Sequence, residues 1–198
     1  MSQELYAKRL AQSAQLLRAS VAREQGIDGT VLSRLVEKGE LVRISRGVYA
    51  LPDAELSEHH SLAEVACRVP AGVVCLLSAL RFHGLTTQAP HEVWLAIASR
   101  SHRPRLSHPP LRIVEMSGDA FAYGVERHTI ERTCVNVTSP AKTVSDCFRF
   151  RSTVGLDVAL EALRAYVRER AGTIDALYEA ARASRVRTVI RPYIEATV

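Results

Sequence analysis

Two groups of residues in this chain have types and spacings that chemistry could use. The first lies in "GTVLSRLVEKGELVRISRGVYALP". Thr30, Ser33, Arg34 and Lys38 share one side of a helical period, and Arg43, Arg46 and Gly47 follow in a hairpin pattern. Arginine and lysine donate to guanine edges or to phosphate, and threonine and serine serve either. The plain alternative is a solvated helix face that happens to be basic. The second group is "SPAK", in which Ser139 and Lys142 have the S-x-x-K spacing of a serine acylase with a lysine base. The same residues read as a helix start, with Ser139 as N-cap and Pro140 at the first helical position. No K-T-G or S-D-N partner accompanies them, so the cap reading is preferred and no catalytic residue is assigned.

Other chemistries find less support. A metal nuclease needs clustered carboxylates near a lysine, and the strands expected at 92–98 and 111–116 offer one each, Glu92 and Glu115. The histidines form no ligand set. His59 and His60 sit in a polar linker, His102 and His108 in a basic loop, and His83 at a helix end. No metal and no cofactor is expected. Cys67, Cys75, Cys134 and Cys147 form no C-x-x-C pair and read as buried free thiols in a reducing compartment. The 198 residues carry a net charge of +5, which permits an anionic partner without demanding one. No apolar run approaches the roughly 18 residues of a membrane span. The first ten residues lack the apolar core of a leader peptide. A cytoplasmic protein without a membrane partner is expected.

The elements that would position these residues follow from periodicity and punctuation. Leu5, Leu10, Ala14 and Leu17 fall near helical spacing and predict a helix over 3–19. Ser20 could cap a short helix over 21–25, with Gly26 as its turn. Asp28 and Gly39 bracket an amphipathic helix over 29–38, with Val31, Leu32, Leu35 and Val36 on its apolar face. The hairpin over 41–51 comes next. Helix, short helix, turn, helix and hairpin in this order predict a winged helix-turn-helix whose third helix is the reader.

The polar stretch 52–60 suggests a boundary, giving domains 1–52 and 53–198. In the second, helices are expected over 61–69 and 73–83. Strands are expected over 92–98 and 111–116, with an antiparallel set completed by 121–131 and 134–138. Helices follow from Ser139, over 155–170 (Leu156, Leu160, Leu163 and Val167 inward), over 173–183 and at the end. The fold class is α+β: an N-terminal winged helix-turn-helix, then a mixed α/β domain with a small antiparallel sheet and C-terminal helices.

At this level the sequence resembles the AbiEi-family antitoxins of type IV toxin–antitoxin and abortive-infection systems. "VLSRLVEKGELVRISRGVYALP" resembles their winged-helix start. "LLSALRFHGLTTQAPHEVWLAI" and "VNVTSPAKTVSDCFRFR" resemble later motifs of the same family. The resemblance implies a repressor that binds inverted repeats in its own promoter through the N-terminal domain. It implies a C-terminal domain that counteracts a nucleotidyltransferase-like toxin without a stable complex. A monomer in solution with cooperative binding on DNA is compatible with it. DNA contact carries over onto Arg34, Arg43, Arg46 and Gly47. Lys142 and Arg149 lie in the matched C-terminal motif, where packing and antitoxicity are both open as roles. Arg151, Arg164 and Arg168 extend the same candidate antitoxin surface. The alternatives are a stand-alone regulator with a ligand-sensing or dimerising C-terminal domain, an S-x-x-K hydrolase and a nuclease.

Overall fold

The computed structural model describes residues 2–54, 57–106 and 108–197. Residues 55–56 of the expected linker and residue 107 of the basic loop lie outside this set. The chain divides into two compact units, one of residues 1–70 with 128–135, the other of 71–127 with 136–198.

The first unit opens with α1 (Gln3–Ala14), capped by Ser2, whose Oγ accepts from the Leu5 N–H at 3.3 Å. The helix ends earlier than its apolar spacing predicts. Gln15 turns left-handed at φ 63°, and Leu17–Arg18 become strand β1. Leu16 and Leu17 are consecutive, and both are buried. Leu16 lies in the bend that follows α1, and Leu17 lies on β1 opposite Tyr49. The buried positions of α1 are accordingly Ala7 and Ala11, one turn apart, and Leu5 is exposed.

α2 (Ala19–Glu24) follows directly. Ser20 lies inside its first turn rather than capping it, because β1 already delivers the chain in extended form through Arg18. α3 (Gly29–Glu37) starts at Asp28, whose carboxylate accepts from the Thr30 N–H at 2.9 Å. Its Val31, Leu32 and Leu35 are buried, and burial of each such side chain contributes about 1.5–3 kcal/mol. β2 (Val42–Ser45) and β3 (Val48–Ala50) form the wing, and the strand order is β1-β3-β2, antiparallel throughout. Gly47 has φ 78°, and its carbonyl accepts from the Ala19 N–H at 2.8 Å. Glycine is what lets the wing turn adopt that backbone at no steric cost. α4 (His60–Arg68) packs against β3 and belongs to this unit.

A buried carboxylate holds the rest of the unit. Glu131, with a side chain 3% exposed, accepts from the Ser57 N–H at 2.6 Å and Oγ at 3.0 Å, and lies 2.8 Å from His60 Nδ1. His60 is therefore engaged rather than freely solvated. Burial alone would raise the Glu131 carboxyl, but the His60 and Ser57 hydrogen bonds outweigh it and hold the group below its ordinary value. A depressed carboxylate contributes stability that is full above the ordinary carboxylate range and is lost as pH falls through the lowered folded value. Glu131→Gln is expected to cost about 1–3 kcal/mol at pH 7. In urea titrations the gap from wild type should close as pH falls through that lowered value, and a gap unchanged by pH would contradict this account.

The second unit contains β4 (Val73–Val74), α5 (Leu76–Phe82), β5 (Val93–Ala98), β6 (Leu111–Met116) and α6 (Asp119–Ala122). β7 (Val125–Ile130) and β8 (Thr133–Thr138), whose residues 128–130 and 133–135 belong to the first unit, follow, then α7 (Pro140–Arg149), α8 (Arg151–Val154), α9 (Leu156–Arg168), α10 (Ile174–Ala183) and α11 (Arg187–Thr197). The sheet order is β6-β5-β4-β8-β7. It is mixed where periodicity suggests an antiparallel set: β5–β6 and β4–β8 are parallel, and β4–β5 is antiparallel. The run expected as one helix over 73–83 is split. Val73 and Val74 form the central strand, facing Ala96, Leu95 and Val137. A strand buried on both faces is a continuous apolar run and has no period to separate it from a buried helix.

The stretch 121–131 likewise divides into the end of α6 and β7, with Gly124 (φ 65°) between them. A Cβ at Gly124 would lie 2.9 Å from Lys142 Cβ and 3.0 Å from Ser139 Oγ, so α7 packs here on bare backbone. On α9 the buried positions are Val158, Ala159, Ala162, Leu163, Ala165 and Tyr166, and Leu156 is exposed. Cys67, Cys75 and Cys147 are buried, but Cys134 is exposed beside buried Val135, as strand alternation requires.

Candidate nucleic-acid interface

Thr30, Ser33, Arg34 and Glu37 of α3, and Lys38 at its C-cap, are all exposed. They are not equally free. Thr30 Oγ1 donates to Asp28 Oδ1 at 2.9 Å, and Ser33 Oγ donates to the Gly29 carbonyl at 3.3 Å. Arg34 Nη1 lies 3.5 Å from Glu4 Oε1, and Lys38 Nζ donates to Glu4 Oε2 at 2.9 Å. The Lys38 hydrogen bond, aided by Arg34, holds the Glu4 carboxyl below its ordinary value. The two basic residues of the helix, one turn apart, therefore converge on a single carboxylate of α1. That partnership has no local signature, since Glu4 and Lys38 are 34 residues apart.

In the wing, Arg43 stands on β2 opposite Tyr49, and Arg46 occupies the turn before Gly47. Both arginines are exposed, and neither forms an ion pair among the described residues. Arg43 and Arg46 differ in this from Arg34 and Lys38, which share Glu4.

The residues expected to form an antitoxin surface do not lie on one face. Lys142 is fully buried and pairs with Asp146, whose other oxygen accepts from Ser184 Oγ at 2.8 Å. It is thus an interior residue, because its place on α7 faces the core with Val144 and Phe148. Burial pushes the Asp146 carboxyl up, opposed by Lys142, Ser184 and Arg149. Arg149 is half-buried, with Nη1 at 3.5 Å from the Ser184 carbonyl and its guanidinium 5.4 Å from the Phe150 ring centroid. Arg151 donates to the Phe148 carbonyl at 3.0 Å. Arg164 and Arg168 do come together, beside Glu161 and Thr87 in a pocket of about 290 Å³. Ser139 Oγ accepts from the Lys142 N–H at 3.3 Å, so the "SPAK" residues form a helix cap and a buried ion pair.

Among the described residues no group of three or more histidines, cysteines or carboxylates is placed to hold a metal ion. No helix among them is long and apolar enough to cross a membrane.

Residues 4–52 match the family described as "Transcriptional regulator, AbiEi antitoxin". The match spans α1 to the end of the wing and supports a DNA-binding regulator. Over nearly its whole length the chain shares a fold with the crystal structure of the RV2827C protein from Mycobacterium tuberculosis. That likeness has a TM-score of 0.59 at 13% identity and covers 96% of this chain and 79% of that one. No curated protein sequence matches this chain.

Proposed function

We propose that this protein is a cytoplasmic type IV antitoxin that represses its own operon. Residues 1–52 hold inverted repeats in its promoter, with α3 reading base edges and the wing contacting the backbone. Residues 53–198 counteract a nucleotidyltransferase-like toxin without forming a stable complex with it. The observation that carries this reading is the exposed Thr30, Ser33, Arg34 and Lys38 face followed by Arg43 and Arg46, exposed and without an ion pair among the described residues, within a segment that matches AbiEi regulators. Arg164 and Arg168 share one pocket with Asp157 and Glu161, and Arg168 pairs with Glu169 at 2.7 Å.

Two experiments test it. The protein should retard its own upstream DNA in a mobility-shift titration and leave scrambled DNA of equal length largely free. Co-expression with a nucleotidyltransferase-like reading frame from the same operon should restore growth without the two co-purifying. DNA binding without growth rescue would favour a stand-alone regulator.

A further inference from the structure

Strands β7 and β8 are joined by a two-residue turn, Glu131 and Arg132. β7 starts and β8 finishes in the second unit, but the turn belongs to the first. Its backbone is costly: Glu131 has φ 48° and Arg132 has φ 58°. A tight hairpin turn with both central residues left-handed favours Asn-Gly, because an ordinary Cβ crowds the backbone there. Glutamate and arginine persist in such a turn only where their surroundings hold them.

Both are held, each by a different part of the first unit. Glu131 accepts from the Ser57 N–H and Oγ and lies against His60, the first residue of α4. Arg132 reaches the C-terminal end of α1. There the Ala11 carbonyl accepts from the Gln15 N–H, and the Ala14 carbonyl accepts from the Leu16 N–H. The two carbonyls between them, Gln12 and Ser13, accept from Arg132 Nη1 at 2.5 and 3.3 Å. A helix end must satisfy its last carbonyls from outside, and a cation there also meets the negative end of the helix dipole. The next residue, Thr133, places its Oγ1 3.6 Å from Cys67 Sγ on α4. At its other end the same α1 carries Glu4, against Arg34 and Lys38. An Asn-Gly turn would close the hairpin without any of these bonds. What Glu131 and Arg132 add is attachment to α1, which opens the winged helix-turn-helix, and to α4, which follows its wing.

We propose that this turn is a latch through which the second unit controls the order of the winged helix-turn-helix. Loosening of the second unit withdraws the turn, frees the end of α1 and destabilises α3, and tightening of the second unit does the reverse. The consequence for operator affinity rests on the DNA-binding reading above. By linkage, DNA held by the first unit then stabilises the second.

The test is hydrogen–deuterium exchange of the full-length protein, read separately on peptides from α3 and from β5. Val144→Ala loosens the second unit, since Val144 is fully buried on α7. The double variant E131N/R132G keeps the turn and removes the latch. In the wild-type background Val144→Ala should speed exchange in α3 as well as in β5, by about 5- to 30-fold. In the E131N/R132G background it should speed β5 alone. Should Val144→Ala unfold, Ile190→Val is a gentler change at a fully buried position. Should the double variant unfold, Arg132→Gly alone removes the hold on α1. Operator affinity by fluorescence anisotropy is the second readout: Val144→Ala should weaken it with the latch intact and leave it unchanged in E131N/R132G. Failure of wild type to bind at low salt overturns the DNA-binding reading, and the exchange result still decides the latch. Exchange in α3 that ignores Val144→Ala in the wild-type background overturns the latch, as does equal acceleration of α3 in both backgrounds.

Discussion

Arg34→Ala should weaken binding to the operator by about 1–3 kcal/mol while weakening non-specific duplex much less. The side chain is 58% exposed on the outer face of α3, so its loss opens no cavity and leaves the fold intact. Its partner in the free protein is Glu4, and an exposed ion pair is weak beside a bidentate contact to a base edge. On the proposed reading, DNA would displace Glu4 from both Arg34 and Lys38. Glu4→Gln should accordingly raise DNA affinity. The effect should be visible at neutral pH, because a carboxylate held below its ordinary value stays charged until pH falls through that lowered value. Equal losses on operator and scrambled DNA for Arg34→Ala would make the residue a phosphate contact instead of a reader.

The largest effect on stability is expected inside the second unit. Lys142→Met should destabilise the protein by about 3–5 kcal/mol, because it strands the fully buried Asp146 carboxylate without its cation. Ser184 Oγ still donates to Asp146 at 2.8 Å, which satisfies one oxygen but not the charge. Pairing the change with Asp146→Leu should recover most of the loss, since an apolar pair of similar volume no longer pays for dehydrating two charges. Urea denaturation of the two variants checks this, and a double variant as unstable as the single would mean that packing, not charge, sets the cost. A plain loss of stability would also assign Lys142 to packing, one of the two roles that its place in the "SPAK" motif leaves open.

The parts of the fold that were legible in the sequence are those governed by local rules. α3 announces itself through Asp28, the Val31, Leu32 and Leu35 spacing and Gly39. α7 does so through Ser139 and Pro140. What escaped is set by partners far along the chain. Leu16 and Leu17 leave α1 because Tyr49 pairs with Leu17 across the sheet. Val73 and Val74 are a strand because Leu95, Ala96 and Val137 flank them. The parallel ladders follow from connections that periodicity does not encode. The candidate site divides in the same way. Thr30, Ser33, Arg34, Lys38, Arg43 and Arg46 are exposed as their helical and hairpin spacing predicts. The counter-charge Glu4 of Arg34 and Lys38 becomes visible only in three dimensions. The charge of Lys142 points to the surface, whereas Asp146 four residues on pairs with it inside the core.

The central claim is that α3 and the wing hold operator DNA. The most direct measurement is the affinity of the full-length protein for its own upstream duplex as a function of salt. Neutralisation of about four to six phosphates per protomer predicts a slope of log K against log salt of about −4 to −5. No binding at low salt, or a slope near zero, would contradict it.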